Sequence, residues 1–124
     1  MGKKTRIAGI VLHVLIGALM IFAGSGKVLG SAPPEIVEKL TAFGFADKIR
    51  LIGAGEMISA ILLIIPRTMS LGVLLTSGFW GGVICIHMAH NEEIIMGSVM
   101  LILTWVAAFL RDKRQFASFL PSDG

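Results

Sequence analysis

The sequence has very little cysteine: Cys85 is the only one among 124 residues. An intramolecular disulfide is therefore excluded, and so is a thiol oxidoreductase that depends on a C-x-x-C pair. Cys85 lies in the middle of an apolar run, where we expect a buried structural thiol. The amino terminus also lacks the myristoylation pattern, because Arg6 stands where that pattern requires Ser or Thr.

Charge is scarce as well. Charged residues make up 15 % of the chain and hydrophobic residues 55 %, and the mean hydropathy is +0.85. Several apolar runs approach the ~17–25 residues that a membrane-spanning helix needs. The sequence therefore predicts one integral membrane domain, residues 1–124, whose main partner is the lipid bilayer. The net charge is +3, but the basic residues cluster at the ends of apolar runs, which is typical of membrane topology and not of nucleic-acid binding.

The pattern predicts an all-α bundle of four transmembrane helices, at about 7–29, 49–65, 69–90 and 94–110. The first run resembles a signal peptide, but it is longer than the usual 7–15 residues and three more runs follow, so we expect an uncleaved span. Between the first two spans, Pro34 and Glu35 favour a helix start. The apolar stripe of Ile36, Val37, Leu40 and Phe43 predicts a short amphipathic helix that lies at the membrane interface.

The distribution of Lys and Arg predicts the orientation. Basic residues flank the amino terminus, the turn at Arg67 and the segment that begins at Arg111, and these three places share one side of a four-span bundle. On the opposite side, the long connector mixes Lys39, Lys48 and Arg50 with acidic residues, and the turn at 91–93 has no basic residue. By the positive-inside rule, we expect both termini to be cytoplasmic in a plasma (inner) membrane. The tail at 121–124 is expected to be unstructured.

Glu56 is the feature around which the rest of the chain can be interpreted, because it is the only ionisable residue between positions 51 and 65. A charge in mid-bilayer costs about 2.5–3.5 kcal/mol on insertion scales, so this carboxyl group should face protein or water. Lys27, His87 and His90 are its candidate partners. The predicted topology places all four residues in the outer half of the bundle, as a polar intramembrane cluster.

Small residues indicate where helices approach one another. Gly24, Gly53, Gly55 and Gly72 are the candidate helix-packing positions, because a residue without a side chain lets a neighbouring backbone come close. His13 falls on the interior stripe of the first span, in the cytoplasmic half. We expect it to be an isolated packing residue that is hydrogen-bonded within the bundle.

The polar cluster has three interpretations. It fixes the packing of the helices, or it forms a pocket for a small polar or quinone-like headgroup or a proton relay. The third interpretation, a metal site at His87, His90 and Glu93, is disfavoured because the Glu-x-x-His pairs of di-iron bundles are absent. We therefore predict no metal site, and we assign no catalytic residue.

Several short motifs resemble those of the DoxX-like membrane proteins. Phe22, Gly24 and Lys27 match the F-x-G-x-x-K signature of that family. A proline-containing connector, the Gly53-x-Gly55-Glu56 motif, Leu71-Gly72 and His87 follow in the family's order. The resemblance covers about residues 12–110 and implies a four-helix membrane bundle. Only Lys27, Glu56 and His87 match family positions.

The resemblance implies several functions. Some DoxX-like proteins are linked to quinone-reducing thiosulfate oxidation, others to redox-stress enzymes, and distant animal relatives act as assembly chaperones. The favoured hypothesis is a membrane subunit or partner of a quinone-linked or redox-stress oxidoreductase, with quinone as the one cofactor suggested. The alternatives are a non-catalytic scaffold or assembly chaperone and, third, a small transporter. A redox enzyme is the expected protein partner, and a homo-oligomer stays open.

Overall fold

A computed structural model describes residues 2–119, and over that range the chain forms helices and no strands, which confirms the predicted all-α class. Five α-helices follow one another: α1 Lys3–Leu29, α2 Pro34–Ala42, α3 Ile49–Ile64, α4 Met69–Ala89 and α5 Ile95–Arg111. Short 3-10 helices cover Pro66–Thr68 and Lys113–Phe119. The tail expected to be unstructured, 121–124, lies outside the described residues.

The helix boundaries agree with the predicted spans to within a few residues, except that α1 begins earlier, at Lys3. Among the described residues, two helical segments are long and apolar enough to cross a membrane: Lys3–Leu29 and Pro66–Ala89. The apolar helix α5 has 17 residues. Helix α3 has 16, so it is about 24 Å long, against a hydrocarbon core of about 30 Å. The number of membrane crossings therefore stays a prediction.

The four long helices form a ring in which α1 and α4 each pack against both α3 and α5. Neighbours run antiparallel: Gly17 and Gly24 of α1 lie opposite Ile64 and Gly53 of α3. The bundle therefore has two ends. The basic end contains the start of α1, the turn at Pro66–Thr68 and the end of α5. The α2 end contains the end of α1, helix α2 and the α4–α5 turn.

Glycine permits the closest helix contacts. A Cβ at Gly72 would meet the backbone of Leu63, and a Cβ at Gly24 would lie 2.7 Å from the carbonyl oxygen of Gly53. Gly55 differs, because it is exposed and a Cβ there would meet nothing within 4 Å. The predicted packing role of Gly55 is therefore wrong: this residue lies on the outer face of α3, away from α1 and α4.

The surface of the bundle is apolar and its interior is partly polar. Every long helix exposes large apolar side chains, for example Leu15 (62 %), Ile58 (55 %), Leu74 (64 %) and Ile102 (61 %). Buried polar side chains include His13, Glu56, Ser59, Thr76, Thr104 and Arg111. A contiguous apolar surface of this kind requires an apolar surrounding.

Two residues in α4 show which face of this helix has a neighbour. Trp80 is 8 % exposed and belongs to the hydrophobic core. Cys85 is exposed, so the expectation of a buried thiol was wrong. An apolar run includes residues on every face of its helix. Cys85 lies on a face of α4 that the other described helices do not cover.

The break between α3 and α4 follows from Pro66, which has no N–H to donate to the carbonyl of Leu62 one helical turn earlier. The hydroxyl of Thr68 donates to that carbonyl instead, at 2.8 Å. The 3-10 geometry of the turn also leaves the next two carbonyls, Leu63 and Ile64, without their usual helical donors. Their donor comes from α5 and is described below.

Candidate functional site

The side chains of Lys27 and Glu56 form an ion pair between α1 and α3, with Nζ 2.7 Å from Oε1. Both are largely buried, at 11 % and 4 % side-chain exposure. At this distance the ammonium donates a charge-assisted hydrogen bond, which is shorter and stronger than a neutral one. Of the three partners that the sequence proposed for Glu56, Lys27 is therefore the one that binds it.

The glycine crossing of α1 and α3 explains why Lys27 reaches this position. A Cβ at Gly53 would lie 2.6 Å from the Cβ of Lys27, so the lysine stem occupies the space that a side chain at residue 53 would fill. Glu56 follows Gly53 by about one helical turn and so lies on the same face of α3. Gly24 and Gly53 thus allow α1 and α3 to approach closely, and the Lys27–Glu56 ion pair joins the two helices beside this contact.

The pair lies in the wall of a cavity of about 650 Å³ at the α2 end. Ligand-binding pockets typically measure about 300–1,000 Å³ and combine apolar walls with a few polar groups. The polar and aromatic residues among those that line this cavity are Lys27, Lys39, Phe43, Phe45, Lys48, Glu56, Phe79, Trp80, His87 and Glu93. The indole Nε1–H of Trp80 is buried and has no hydrogen-bond partner within the described residues. The wall of the cavity therefore includes one residue with a buried donor that has no acceptor among the described residues.

His87 lines the same cavity but does not bond to Glu56. Its Nδ1 lies 2.7 Å from the carbonyl oxygen of Val83. Since a carbonyl only accepts, Nδ1 carries the hydrogen, and Nε2 of the neutral ring is left as an acceptor. An imidazole–carboxylate hydrogen bond was one way to stabilise Glu56, and it is not formed because the histidine bonds to its own helix backbone.

His90 stands apart from the other three members of the predicted cluster. It is exposed and is not among the residues that line the cavity. Its Nδ1 lies 3.0 Å from the carbonyl oxygen of Ile86, and its ring centroid lies 4.6 Å from that of Phe43. Grouping His90 with Glu56 was therefore wrong, because i, i+3 spacing puts both histidines on one face but not at one depth. No group of His, Cys, Asp and Glu among the described residues is arranged to hold a metal ion.

Helix α2 covers the cavity. Three residues of the predicted apolar stripe line it: Ile36, Leu40 and Phe43. The fourth, Val37, lines a smaller neighbouring pocket instead. Phe43 also makes an edge-to-face contact with His87, with ring centroids 5.2 Å apart. The predicted short helix is therefore present at Pro34–Ala42, and its apolar side faces the end of the bundle.

A second buried polar cluster lies in the basic-end half and joins α1 to α5. His13 Nε2 lies 2.9 Å from the carbonyl oxygen of Thr104, and Nη1 of Arg111 lies 2.9 Å from His13 Nδ1. Because the guanidinium only donates, His13 accepts at Nδ1 and donates from Nε2. His13 is hydrogen-bonded as expected, but it is not isolated.

Arg111 also completes the end of α3. Its Nη1 donates to the carbonyl of Leu63 at 2.8 Å and its Nη2 to the carbonyl of Ile64 at 3.3 Å. These are the two carbonyls that the break at Pro66 leaves without helical donors. The sequence interpretation treated Arg111 only as a topological charge and so missed this contact. A signal was present: Arg111 continues the stripe of Gly97, Met100, Thr104 and Ala107 on α5.

The chain was also compared with known proteins. A family model described as the DoxX-like family matches residues 11–109. The chain belongs to the DoxX-like family. No curated protein and no solved structure shows significant similarity to it.

The DoxX-like assignment agrees with the apolar surface of the bundle, and the chain is a membrane protein. The matched segment contains His13, Lys27, Glu56 and His87, whereas Arg111 follows it by two residues. The cavity and its ion pair therefore lie within the part of the chain that defines the family, and Arg111 lies just outside it.

Proposed function

We propose that this DoxX-like protein crosses the plasma (inner) membrane four times with both termini cytoplasmic. We further propose that its α2-end cavity receives the headgroup of a quinone or a similar small molecule. In this role the protein is a membrane subunit or partner of an oxidoreductase system. The exposed apolar side chains on all four long helices support the four crossings, and the basic residues at one end support the orientation.

The observation that carries this proposal is the position of the Lys27–Glu56 pair in the cavity wall. A lysine ammonium has three N–H donors, and the hydrogen bond to Glu56 uses one. The remaining donors are available to the carbonyl oxygens of a quinone-type ring. The apolar lining suits the ring and its substituents. The redox partner would supply the electrons, and this chain would position the small molecule.

A second candidate function, a non-catalytic scaffold or assembly chaperone, is favoured by the glycine crossing. Gly24 and Gly53 bring α1 and α3 together beside the ion pair. An ion pair at such a crossing fixes the register of two helices, which is a structural role. The two functions make different predictions for a variant that keeps the fold and loses both charges.

A double-mutant cycle in detergent tests the pair first. Glu56→Gln strands the ammonium and Lys27→Met strands the carboxylate, and breaking a buried pair costs about 3–5 kcal/mol. The double variant removes both charges and should recover much of the stability, so the cycle should be strongly non-additive. Lys4→Met, at an exposed position of the basic end, is the matched control and should leave the midpoint unchanged.

A binding measurement then separates the two functions. Trp80 lines the cavity, whereas Trp105 is 38 % exposed on α5, so a Trp105→Phe background isolates the fluorescence of Trp80. Decylubiquinone should quench this fluorescence in nanodiscs, and the stable double variant should bind it more weakly. Unchanged binding in the double variant would favour the scaffold. No binding to the wild-type protein would refute the quinone proposal.

A further inference from the structure

We propose that the cavity takes its ligand sideways from the bilayer, as a single-tailed amphiphile with a hydrogen-bond-accepting headgroup, and that α2 is the lid that must lift for the headgroup to enter. This inference rests on the proposed binding role of the cavity. It adds the chemical class of the ligand and the route by which it arrives.

The rim of the cavity is apolar and open at its side. Leu19, Leu51 and Met96 line it, and they are 48 %, 70 % and 68 % exposed. These residues lie on α1, α3 and α5. In a membrane protein such side chains contact lipid, so a molecule dissolved in the bilayer meets the cavity without crossing water. An apolar tail that stays between these side chains keeps its favourable burial.

The positions of the closest helix contacts are consistent with this opening. The close contacts between α1 and α5, at Gly9 with Ala107 and at His13 with Thr104, lie in the basic-end half. Those between α3 and α4 include Gly72 with Leu63, in the same half. Toward the α2 end, α1 stays close to α3 at the glycine crossing. The cavity fills the space between the α1–α3 pair and the α4–α5 pair.

The polar groups of the cavity select the headgroup. Trp80 is 8 % exposed and its Nε1–H lacks an acceptor within the described residues. Lys27 offers the N–H donors that Glu56 leaves free. The indole nitrogen of Trp80 is enclosed within the wall, so the ammonium of Lys27 is the donor that meets a headgroup, and acceptor oxygens form charge-assisted hydrogen bonds with it. Carbonyl-bearing rings satisfy this requirement, and a plain alkyl chain does not.

Helix α2 has the properties of a lid. It is flanked by Gly30 and Gly44, which have φ of 78° and 89°. A Cβ added at either glycine would have no atom within 4 Å, so both residues lie in open space. None of the residues within α2 is buried. One ion pair, Lys39–Glu92 at 3.7 Å, ties it to the α4–α5 turn, and both side chains are more than 40 % exposed, so this pair adds little stability. Segments with few buried contacts open at low free-energy cost.

Phe43 is the main anchor of this lid. It follows α2 directly, is 9 % exposed, and its ring packs against the imidazoles of His87 and His90. Its removal should therefore loosen the cover without touching the Lys27–Glu56 pair.

Alkylation kinetics test the route and the lid without reference to quinone. In a Cys85→Ala background, Ala23→Cys puts a thiol in the cavity wall. The probe is N-dodecylmaleimide, a single-tailed amphiphile whose ring carries two carbonyl oxygens, added to proteoliposomes. It should label the cavity thiol faster than a water-soluble sulfonated maleimide does. Phe43→Ala should increase the rate about tenfold, as expected when a closing segment limits access.

Ile102→Cys provides the matched control, because residue 102 is 61 % exposed on α5 and is not among the residues that line the cavity. Its labelling by the dodecyl reagent should not respond to Phe43→Ala. Lys39→Met, a milder change to the lid, should accelerate labelling of the cavity thiol to a smaller extent. If the cavity thiol is labelled at the same rate in the presence and absence of Phe43, α2 is not a lid. If the sulfonated reagent labels this thiol faster than the dodecyl reagent does, the ligand does not enter from the bilayer.

The two proposals fail in different ways. If the alkylation results are as expected and decylubiquinone does not bind, the quinone function is wrong and the bilayer-facing cavity with its lid stands. If decylubiquinone binds and the cavity thiol reacts from water, the function stands and the access route is wrong.

Discussion

Nη1 of Arg111 donates a hydrogen bond to Nδ1 of His13 over 2.9 Å, in the interior of the bundle, across 98 positions of sequence. No carboxylate forms an ion pair with Arg111 among the described residues. Instead, the cation meets the carboxyl end of α3, where the helix dipole concentrates negative potential. Arg111 therefore joins three helices: α1 through His13, α3 through its terminal carbonyls, and its own α5.

Replacing Arg111 should destabilise the bundle more than replacing any basic residue outside the interior. Arg111→Met leaves the carbonyls of Leu63 and Ile64 unpaired, and each unpaired buried acceptor costs about 1–3 kcal/mol. Arg111→Lys should be intermediate, because one ammonium cannot reproduce the planar fork that reaches two helices. Thermal unfolding in detergent should give midpoints that decrease from wild type to Arg111→Lys to Arg111→Met.

Arg114→Met is the control for this series, because the side chain of Arg114 is 88 % exposed and, among the described residues, pairs with Asp112 alone. It should leave the midpoint nearly unchanged, as exposed pairs contribute little. A loss as large as that of Arg111→Met would show that basic charge, and not the interior hydrogen bonds, sets the stability.

Thr68→Val should destabilise the α3–α4 turn. The two side chains have nearly the same shape, and only the valine lacks the hydroxyl that donates to Leu62 in place of the missing proline N–H. We expect a loss of about 1–3 kcal/mol, the cost of one unpaired buried acceptor.

Ser77→Ala is the control for Thr68→Val, because the hydroxyl of Ser77 donates to the carbonyl of Val73 within the uninterrupted helix α4, where the backbone already supplies a donor. If both variants unfold at the same temperature, the turn does not need the Thr68 hydroxyl.

Two glycine-to-alanine changes should have opposite effects. Gly72→Ala places a methyl group against the backbone of Leu63, and such overpacking costs typically 1–3 kcal/mol. Gly55→Ala meets open space and gains helix propensity of about 1 kcal/mol, so it should be neutral or stabilising. Unfolding midpoints of the two variants, compared with wild type, decide this. An unchanged midpoint for Gly72→Ala would show that α3 and α4 are not in close contact at this position.

Cysteine labelling in cells tests the proposed orientation. In a Cys85→Ala background, Ser31→Cys and Glu92→Cys, both at the α2 end, should react with a membrane-impermeant maleimide from outside. Glu92 is preferable to Asn91, whose φ of 57° disfavours most other residues. Ser122→Cys, beyond the described residues, should react only after the membrane is permeabilised. The reverse pattern would show that the bundle is inverted.

Much of the fold follows from local sequence patterns. The apolar runs place the long helices to within a few residues, apart from the earlier start of α1 at Lys3, because this signal acts over one or two turns. The stripe of Ile36, Val37, Leu40 and Phe43 likewise predicts α2. These patterns do not show which face of each helix contacts a neighbouring helix. For this reason the predictions of a buried Cys85 and of a packing role for Gly55 were wrong.

The site was predictable in part. A single acid in a long apolar run requires a partner, and the sequence offers three. Lys27 is the partner of Glu56 because its stem fits over Gly53, and that fit depends on how α1 and α3 pack. His90 lies away from Glu56 because α4 ends at the surface of the bundle, which the sequence pattern does not show. Arg111 was missed because a basic residue at a helix end usually faces water. Its inward direction depends on Gly9, where a Cβ would lie 2.8 Å from its Cγ.

The capping of α3 by Arg111 also bears on biosynthesis. Helix α3 ends at Ile64, but the donor for its last carbonyls arrives 47 positions later. While the ribosome has made only the first three long helices, two main-chain acceptors of α3 lack their native partner in an apolar surrounding, which is costly. The end of α3 therefore obtains these hydrogen bonds only after α5 has been made and has packed against it.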